Sequence, residues 1–519
     1  MRMLSLICLF SLSTAPGCSD DPAVHDPDGA LGDGSDASVA SSDMTQGASS
    51  NSPFGFHPAS ADKYGYARDL NIVWSREGTY LVWDWSDPNH TGQTSFDHAI
   101  APPHPTLGVP GQTVNYDQQW LETPNDVNLV VNICPFRMGG DFTGVEQENT
   151  YLEFVRRAVE RFDGDGDLGC TQSAPDCYVA GDKQYPRQVV IDRFKANPIK
   201  FWQVCNQVTD GCSGVACKDS YAATFARIQE LTYNGVKAGD TAASVLIAGD
   251  SARDMYPAVY DALKGNFVDI VDFHRFGSEL VYDPQADFDL LKDRLDRAGF
   301  ELSKLRFWIT ETGTYSGDPV AGPGTLGDLS YQSEEQQARG LLKIYISALG
   351  YGIERVFWAW NILEGFGCDC CIFDYTGLVY DGNQGANSNH CEKNDPYDKG
   401  LNVKKLAYYT YKHMVARLAG ADWTQTQTVE KSGQLFVYKF LISKTGKSVW
   451  IAWSETPRAY SLAVSSSEVE VVSSVPIAES GLDVNEVDYL ASFSTQKKAV
   501  VDQVVALTLG PTPVYIVEM

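Results

Sequence analysis

The sequence predicts an α/β chain: a (β/α)8 TIM barrel followed by a small all-β, sandwich-like C-terminal domain. Three observations carry that prediction. Eight short apolar runs alternate with amphipathic helical stretches over roughly 370 residues, the pattern of a closed parallel barrel with long loops. No Gly-rich nucleotide loop follows any of these runs, which argues against the alternative of a doubly wound open sheet. From Trp423 onward the helical period stops, and short strand-like runs are punctuated by Gly and Pro.

Taken in order, Phe54-Gly55-Phe56-His57 reads as strand one, Leu70 to Arg76 as strand two and Val127 to Ile133 as strand three. Tyr151, Phe154, Val155, Ala158, Val159 and Phe162 then recur at helical spacing. Strand four runs from Phe201 to Gln207, strand five from Ser244 to Ala248 and strand six from Val268 to His274. Phe288, Leu291 and Leu295 share one face of the helix that follows. In Phe307-Trp308-Ile309-Thr310-Glu311-Thr312-Gly313 an apolar run feeds one acid, and a Thr-Gly pair breaks strand seven. Ser333-x-x-Gln336 is a capping box opening the next helix. Arg355 to Trp360 is strand eight, and Lys404 to Leu418 the closing helix. Gln434 to Ile442, Val449 to Trp453, Val469 to Val472 and Val514 to Val517 read as strands of the C-terminal domain. Such a domain either braces the barrel or binds carbohydrate, and without an exposed aromatic pattern bracing is favoured.

The ends of the chain speak to its compartment. Residues 1–17 carry one Arg, an apolar run from Leu4 to Leu12 and then Ala15-Pro16-Gly17 before Cys18, which reads as a secretory signal. The segment resembles a bacterial lipoprotein signal, and that resemblance implies lipidation at Cys18; a plain secretory signal is the alternative. Residues 18–52 form an Asp/Ser/Gly-rich linker, with seven Asp and no Lys or Arg between Ser19 and Pro53. It is too polar to offset the entropy of ordering. The barrel would then span 53–420 and the β domain 421–519. The expectation is an exported protein, lipid-anchored in a bacterial cell envelope or extracellular, with no contact to membrane except an N-terminal lipid anchor. The net charge of −27 argues against nucleic acid or anionic lipid as partners and is compatible with a neutral poly- or oligosaccharide.

Of twelve Cys, ten remain once Cys8 and Cys18 are set apart, an even number suited to disulfides in an oxidising compartment. Close spacing suggests loop staples between Cys170 and Cys177 and between Cys212 and Cys217. Cys368, Cys370, Cys371, His390 and Cys391 could surround a metal instead. Cys205 reads as disulfide-bonded or buried rather than nucleophilic.

Hydrolysis of a glycosidic bond with retention needs two carboxyl groups roughly 5–5.5 Å apart, one to attack and one to protonate the departing oxygen. The ends of strands four and seven face one another across a barrel mouth. Ile309-Thr310-Glu311-Thr312-Gly313 and Phe201-Trp202-Gln203-Val204-Cys205-Asn206 occupy those ends. With Trp74-Ser75-Arg76, Asp272-Phe273-His274 and the Trp358/Trp360 pair on their successive strands, the chain resembles the clan A (β/α)8-barrel glycoside hydrolases over about Phe54 to Gly420. The resemblance implies Glu311 as nucleophile, Arg76 as its support, Asn206 on a sugar 2-hydroxyl, His274 near the site and an aromatic floor from strand eight, for which Trp358 is chosen. Each residue also has a plainer reading: Glu311 as a structural acid paired with Arg76, His274 as a satisfied core histidine, the tryptophans as packing.

The departure from that family is Gln207, which stands where the acid/base Glu is expected. Gln can neither protonate a leaving alkoxide nor deprotonate water. Three readings stay open: sugar binding without turnover, cleavage of substrates whose leaving group needs no proton, or a nearby acid such as Asp210, Glu364 or Asp369 in the missing role. No cofactor is required by this chemistry. Separately, Asp163-Gly164-Asp165-Gly166-Asp167 places alternating carboxylates on a flexible turn that could hold a structural calcium or be a solvated acidic loop.

Overall fold

The computed structural model describes residues 51–57, 64–76, 80–101, 111–135, 147–166, 185–206, 215–250, 256–319, 329–365, 372–382 and 397–519. The signal, residues 18–50 of the linker, Gln207, Asp210, Asp369, Asp167, Cys170, Cys177, Cys212 and the Cys368–Cys391 group with His390 lie outside the described residues.

Eight parallel strands form a closed ring: β1 Phe54–His57, β2 Trp74–Arg76, β3 Asn128–Cys134, β4 Phe201–Val204, β5 Ser244–Asp250, β6 Ile270–Phe276, β7 Arg306–Gly313 and β8 Arg355–Ala359. Each pairs with the next, and β8 returns to β1 with Phe54 opposite Val356 and His57 opposite Ala359. Helices separate the strands. The helix Glu148–Phe162 buries Tyr151, Phe154, Val155, Ala158, Val159 and Phe162, and Gln285–Arg297 buries Phe288, Leu291 and Leu295. Ser333 and Gln336 close the expected capping box at the start of Glu334–Gly350.

The barrel interior is layered by the two-residue period of its strands. Trp74, Val130, Phe201, Leu246, Ile270, Trp308 and Phe357 form an apolar plug. The Arg355 guanidinium lies over the rings of Trp74 and Trp308, 4.3 and 4.9 Å from their centroids. Two residues further along the strands, at the next inward position, the side chains turn polar: Arg76 after Trp74, Asn132 after Val130, Gln203 after Phe201, Asp272 after Ile270 and Thr310 after Trp308, all buried.

Strand two is shorter than expected. Leu70 and Ile72 are buried, but their amides bond back to Tyr66 and Ala67 and end the helix Tyr64–Asp69 instead of extending a sheet.

The C-terminal region is antiparallel. Its strands are β9 Gln427–Ser432, β10 Leu435–Ile442, β11 Lys447–Ser454, β12 Arg458–Ala463, β13 Glu468–Ser473, β14 Thr495–Ala499, β15 Val504–Leu509 and β16 Val514–Glu518. Six form one sheet in the order β9-β10-β11-β16-β13-β14, and β12 pairs with β15. The large sheet is apolar on both faces. Leu435, Val437, Trp450, Ala452 and Ile516 pack with Leu462, Val505, Leu507 and Leu509 of the small sheet. Phe436, Tyr438, Phe440, Ile451, Trp453 and Tyr515 join the core that covers the barrel. Polar ties reinforce this joint: the Glu334 carboxylate accepts from the backbone amides of Leu406 and Gly481, each at 2.8 Å. This geometry fits a brace.

Candidate active site

Glu311 sits near the C-terminal end of β7, where parallel barrels place their chemistry. Strict alternation would turn Thr310 and Glu311 to opposite faces. Pairing of β7 with β6 slips between Ile309 and Glu311, and pairing with β8 slips between Ile309 and Thr312. That bulge lets both side chains face the interior.

The Glu311 carboxylate is 1 % exposed. Its Oε1 accepts from Arg76 Nη1 at 2.6 Å and from Asn206 Nδ2 at 3.4 Å. Its Oε2 lies 3.2 Å from His274 Nδ1, yet it has no hydrogen bond of acceptable alignment among the described residues. Arg76 makes three further bonds: Nε donates to Gln203 Oε1 at 2.6 Å, Nη2 to Asn206 Oδ1 at 2.9 Å and Nη1 also to His57 Nε2 at 2.7 Å. Burial works against the charge on Arg76, but Glu311, with Tyr80 and Asp272, together outweigh it, so the guanidinium is held above its ordinary value.

His57 is neutral. Burial, and then the neighbouring Arg76, pull its imidazole well below the ordinary histidine range. Its Nδ1 donates to the Arg76 carbonyl at 2.8 Å, leaving Nε2 as the acceptor for the guanidinium. The 3.6 Å approach of His57 Nε2 to Glu311 is therefore proximity and not an ion pair. Below these groups Gln203 Nε2 donates to Asp272 Oδ2 at 2.8 Å, and Thr310 Oγ1 donates to Asp272 Oδ1 at 2.6 Å. His274 Nε2 lies 3.1 Å from Thr310 Oγ1. Arg76, Gln203, Asp272, Thr310 and His274 thus form a buried ring that returns to Glu311.

Asn206 is placed by a covalent bond. Cys134, at the end of β3, is disulfide-bonded to Cys205, just after β4, with Cα atoms 4.8 Å apart. Ile133 and Val204 are register partners, so the two cysteines face one another across adjacent strands. Cys205 takes a φ of 55°, a turn that carries the chain away from the strand just before Asn206. The expectation for Cys205 holds, although its partner was not foreseen.

The choice of Trp358 is corrected. Trp358 packs in the outer core and donates Nε1 to the Thr376 carbonyl at 2.9 Å. Phe357 is the inward residue at that level. Trp360 instead meets His57, ring centroids 4.3 Å apart, and follows a cis Ala359–Trp360 peptide. Residues two apart on a strand share a face, so alternation could not separate the two tryptophans; β8 ends at Ala359, which frees Trp360 from it.

Glu364, a candidate replacement acid, is buried in an ion pair with Lys405, whose Nζ also donates to Ser316 at 2.8 Å. A carboxylate bound to an ammonium has no proton to give. At the acidic turn, Asp163 and Asp165 group with Glu160, their oxygens within 4.8 Å of one another. Burial raises Asp163 to about 6. His57, Gln203, Asp272 and Thr310 were not singled out from sequence. The available signal was a polar residue two places after an inward apolar one on each strand.

The fold, a closed parallel barrel with an appended β domain, is similar to that of several solved glycoside hydrolases. No family model and no curated protein matches the sequence. Among solved structures, a family 39 glycoside hydrolase from Bacteroides cellulosilyticus WH2 is similar with a TM-score of 0.52 at 13% identity, over 90% of this chain and 81% of that one. An α-L-arabinofuranosidase from Thermotoga maritima, in an arabinose complex, has a TM-score of 0.51 at 11% identity, over 88% of this chain and 89% of that one. AbfB, a family 51 α-L-arabinofuranosidase from Bifidobacterium longum, has a TM-score of 0.50 at 11% identity, over 89% of this chain and 92% of that one. At such identities the likeness is one of fold.

Proposed function

We propose that the protein acts on O-glycosidic bonds of a poly- or oligosaccharide by a retaining mechanism, with Glu311 as nucleophile and an atypical or absent proton donor at Gln207. The observation that carries this reading is the state of Glu311: one oxygen fixed by Arg76 at 2.6 Å and the other without a hydrogen bond among the described residues. In the first step Glu311 Oε2 forms a bond to the anomeric carbon, and the bond from that carbon to the leaving oxygen breaks. The leaving oxygen takes the electron pair, and without a general acid only a stable anion departs readily. Asn206 is suited to a sugar 2-hydroxyl and Trp360 to the ring face. The arabinose complex of the Thermotoga neighbour agrees with a carbohydrate partner.

A second reading is favoured by Gln207 itself: a non-catalytic carbohydrate-binding protein, exported and tethered by lipid at Cys18. No helix of the described residues is long and apolar enough to cross a membrane.

Activated aryl glycosides of several sugars, offered to the wild type and to Gln207→Glu, separate the two. The enzymatic reading expects slow aryl release by the wild type and a gain on the order of 10²–10⁴-fold in the variant with poorer leaving groups. No release by either protein, with glycans still bound, would replace it with the binding reading.

A further inference from the structure

The chain that leaves β7 beyond Glu311 is held in place by its own polar groups. Tyr315 Oη donates to the Ser330 carbonyl at 2.7 Å, and Gly317 and Gln332 exchange backbone bonds at 2.8 and 3.0 Å. Gln332 Nε2 donates to Thr314 Oγ1 at 3.1 Å and to the Tyr315 carbonyl at 2.7 Å, while its Oε1 accepts the Glu279 amide at 2.7 Å. Tyr331 stands between these two tied residues, Ser330 and Gln332, yet it is 48 % exposed. No other Phe, Tyr or Trp among the described residues is as exposed. Burial is the ordinary fate of an aromatic ring in this chain, so one kept in water on a fixed frame points to a use at the surface. Tyr397, half-buried, widens the patch: the two ring centroids lie 4.7 Å apart with 41° between their planes.

A run of aromatic contacts connects this patch with the acid. His57, 3.6 Å from Glu311, meets Trp360 with centroids 4.3 Å apart, and Trp360 meets Phe373 at 6.4 Å. Phe373 packs on the cluster of Tyr315, Ile372 and Tyr375, and so does Leu329, which lies just ahead of Ser330 and Tyr331. We propose that Tyr331 and Tyr397 form a distal subsite, a platform on which one ring of an oligo- or polysaccharide stacks while another part of the same chain occupies the cleft at Glu311. This rests on the reading of that cleft as a carbohydrate site. A pyranose or furanose turns a face of C–H bonds to an aromatic ring and keeps its hydroxyls in water at the edges, and a tyrosine loses little conformational freedom in making the contact. A pair of rings matches one sugar in size and falls far short of the area that a stable protein interface needs. Because the platform is remote from the bond that breaks, it selects for chain length rather than for the linkage cleaved.

The test is affinity against chain length, measured by titration calorimetry with arabino-, xylo-, cello- and manno-oligosaccharides from the disaccharide to the hexasaccharide. Glu311→Gln serves as the background protein, so that no bond is cut during the titration. In the series that binds, affinity should rise with length, and adding Tyr331→Ala should lower hexasaccharide affinity about 5- to 30-fold. Tyr397→Ala should act in the same direction. Tyr331→Phe, which keeps the ring, should stay within about threefold of the background protein. Hexasaccharide affinity unchanged in Tyr331→Ala, or lowered no more than disaccharide affinity, overturns the subsite and leaves the carbohydrate reading standing. If neither the wild type nor Glu311→Gln binds any of the four series, the carbohydrate reading fails and the subsite falls with it.

Discussion

At the scale of single residues the site is governed by Arg76. It carries the formal positive charge bonded to Glu311, and it also holds Gln203, Asn206 and His57. A buried cation that binds four side chains cannot be removed cheaply, because each acceptor loses its donor and Glu311 keeps an uncompensated charge. Arg76→Leu should destabilise the protein by about 3–5 kcal/mol in urea unfolding. Glu311→Gln, which keeps an acceptor for the guanidinium, should cost less. Equal costs would mean that Arg76 does little beyond pairing with Glu311. His413 makes a separate prediction. Burial, and then the adjacent Arg417, lower its imidazole to about 3, and Arg417 Nε donates to its Nε2 at 2.8 Å. The unfolded chain binds that proton below about pH 6.5 and the native protein does not. Stability contributed by neutral His413 is thus complete above about 6.5 and is lost as pH falls toward 3. Each such histidine adds up to about 1.4 kcal/mol of lost stability per pH unit. Unfolding free energies between pH 7.5 and 5 should have a shallower slope in His413→Asn than in the wild type; parallel slopes would contradict the assignment.

At the scale of elements, the Cys134–Cys205 bond links the ends of β3 and β4 and closes a loop with a sequence separation of 71. Replacing both cysteines by Ala should lower stability by about 2–4 kcal/mol. It should also weaken sugar binding, because Asn206 follows the linked residue directly. Stability lost with binding intact would reduce the disulfide to a structural staple. This bond was illegible in the sequence, since pairing Cys134 with Cys205 requires the register of two strands that 66 residues separate. What could be read was periodicity. The barrel helices announced their buried faces, and Glu311, Arg76, Asn206 and His274 do converge. Gln203, Asp272 and Thr310 went unread because a polar residue within an apolar strand looks like an interruption until its neighbours face it. Four C-terminal strands, β9, β12, β14 and β15, were missed for a related reason. Thr495–Ala499 is mostly exposed and carries no apolar run, whereas Val504–Leu509 is apolar in sequence but alternates exposed and buried positions, which its composition hides.

At the scale of the molecule, barrel and β domain share one packed core. The large C-terminal sheet gives one face to its own small core and the other to the core around the barrel. The acid Glu455 makes the joint specific, accepting from Tyr282 at 2.6 Å and from Lys343 at 3.0 Å. A chain ending at residue 420 would strip Tyr282 of its ring contacts with Phe436 and Trp453, and Phe54 of its contact with Trp423. It should be insoluble or bind hydrophobic dyes, whereas the whole protein should unfold in a single transition. Independent melting of the two parts would show that the shared core contributes little. A rigid brace of this kind suits a site in which strand ends must hold several charges within fractions of an ångström.

The central claim is that Glu311 stands ready to attack an anomeric carbon. It is tested most directly by incubating wild-type protein with activated 2-deoxy-2-fluoro glycosides of several sugars, followed by mass spectrometry of the intact chain and its peptides. The account predicts a mass increase of one fluorosugar, on the peptide containing Glu311 and absent from Glu311→Gln. A chain that stays unlabelled by every sugar, or that carries its label elsewhere, would contradict it.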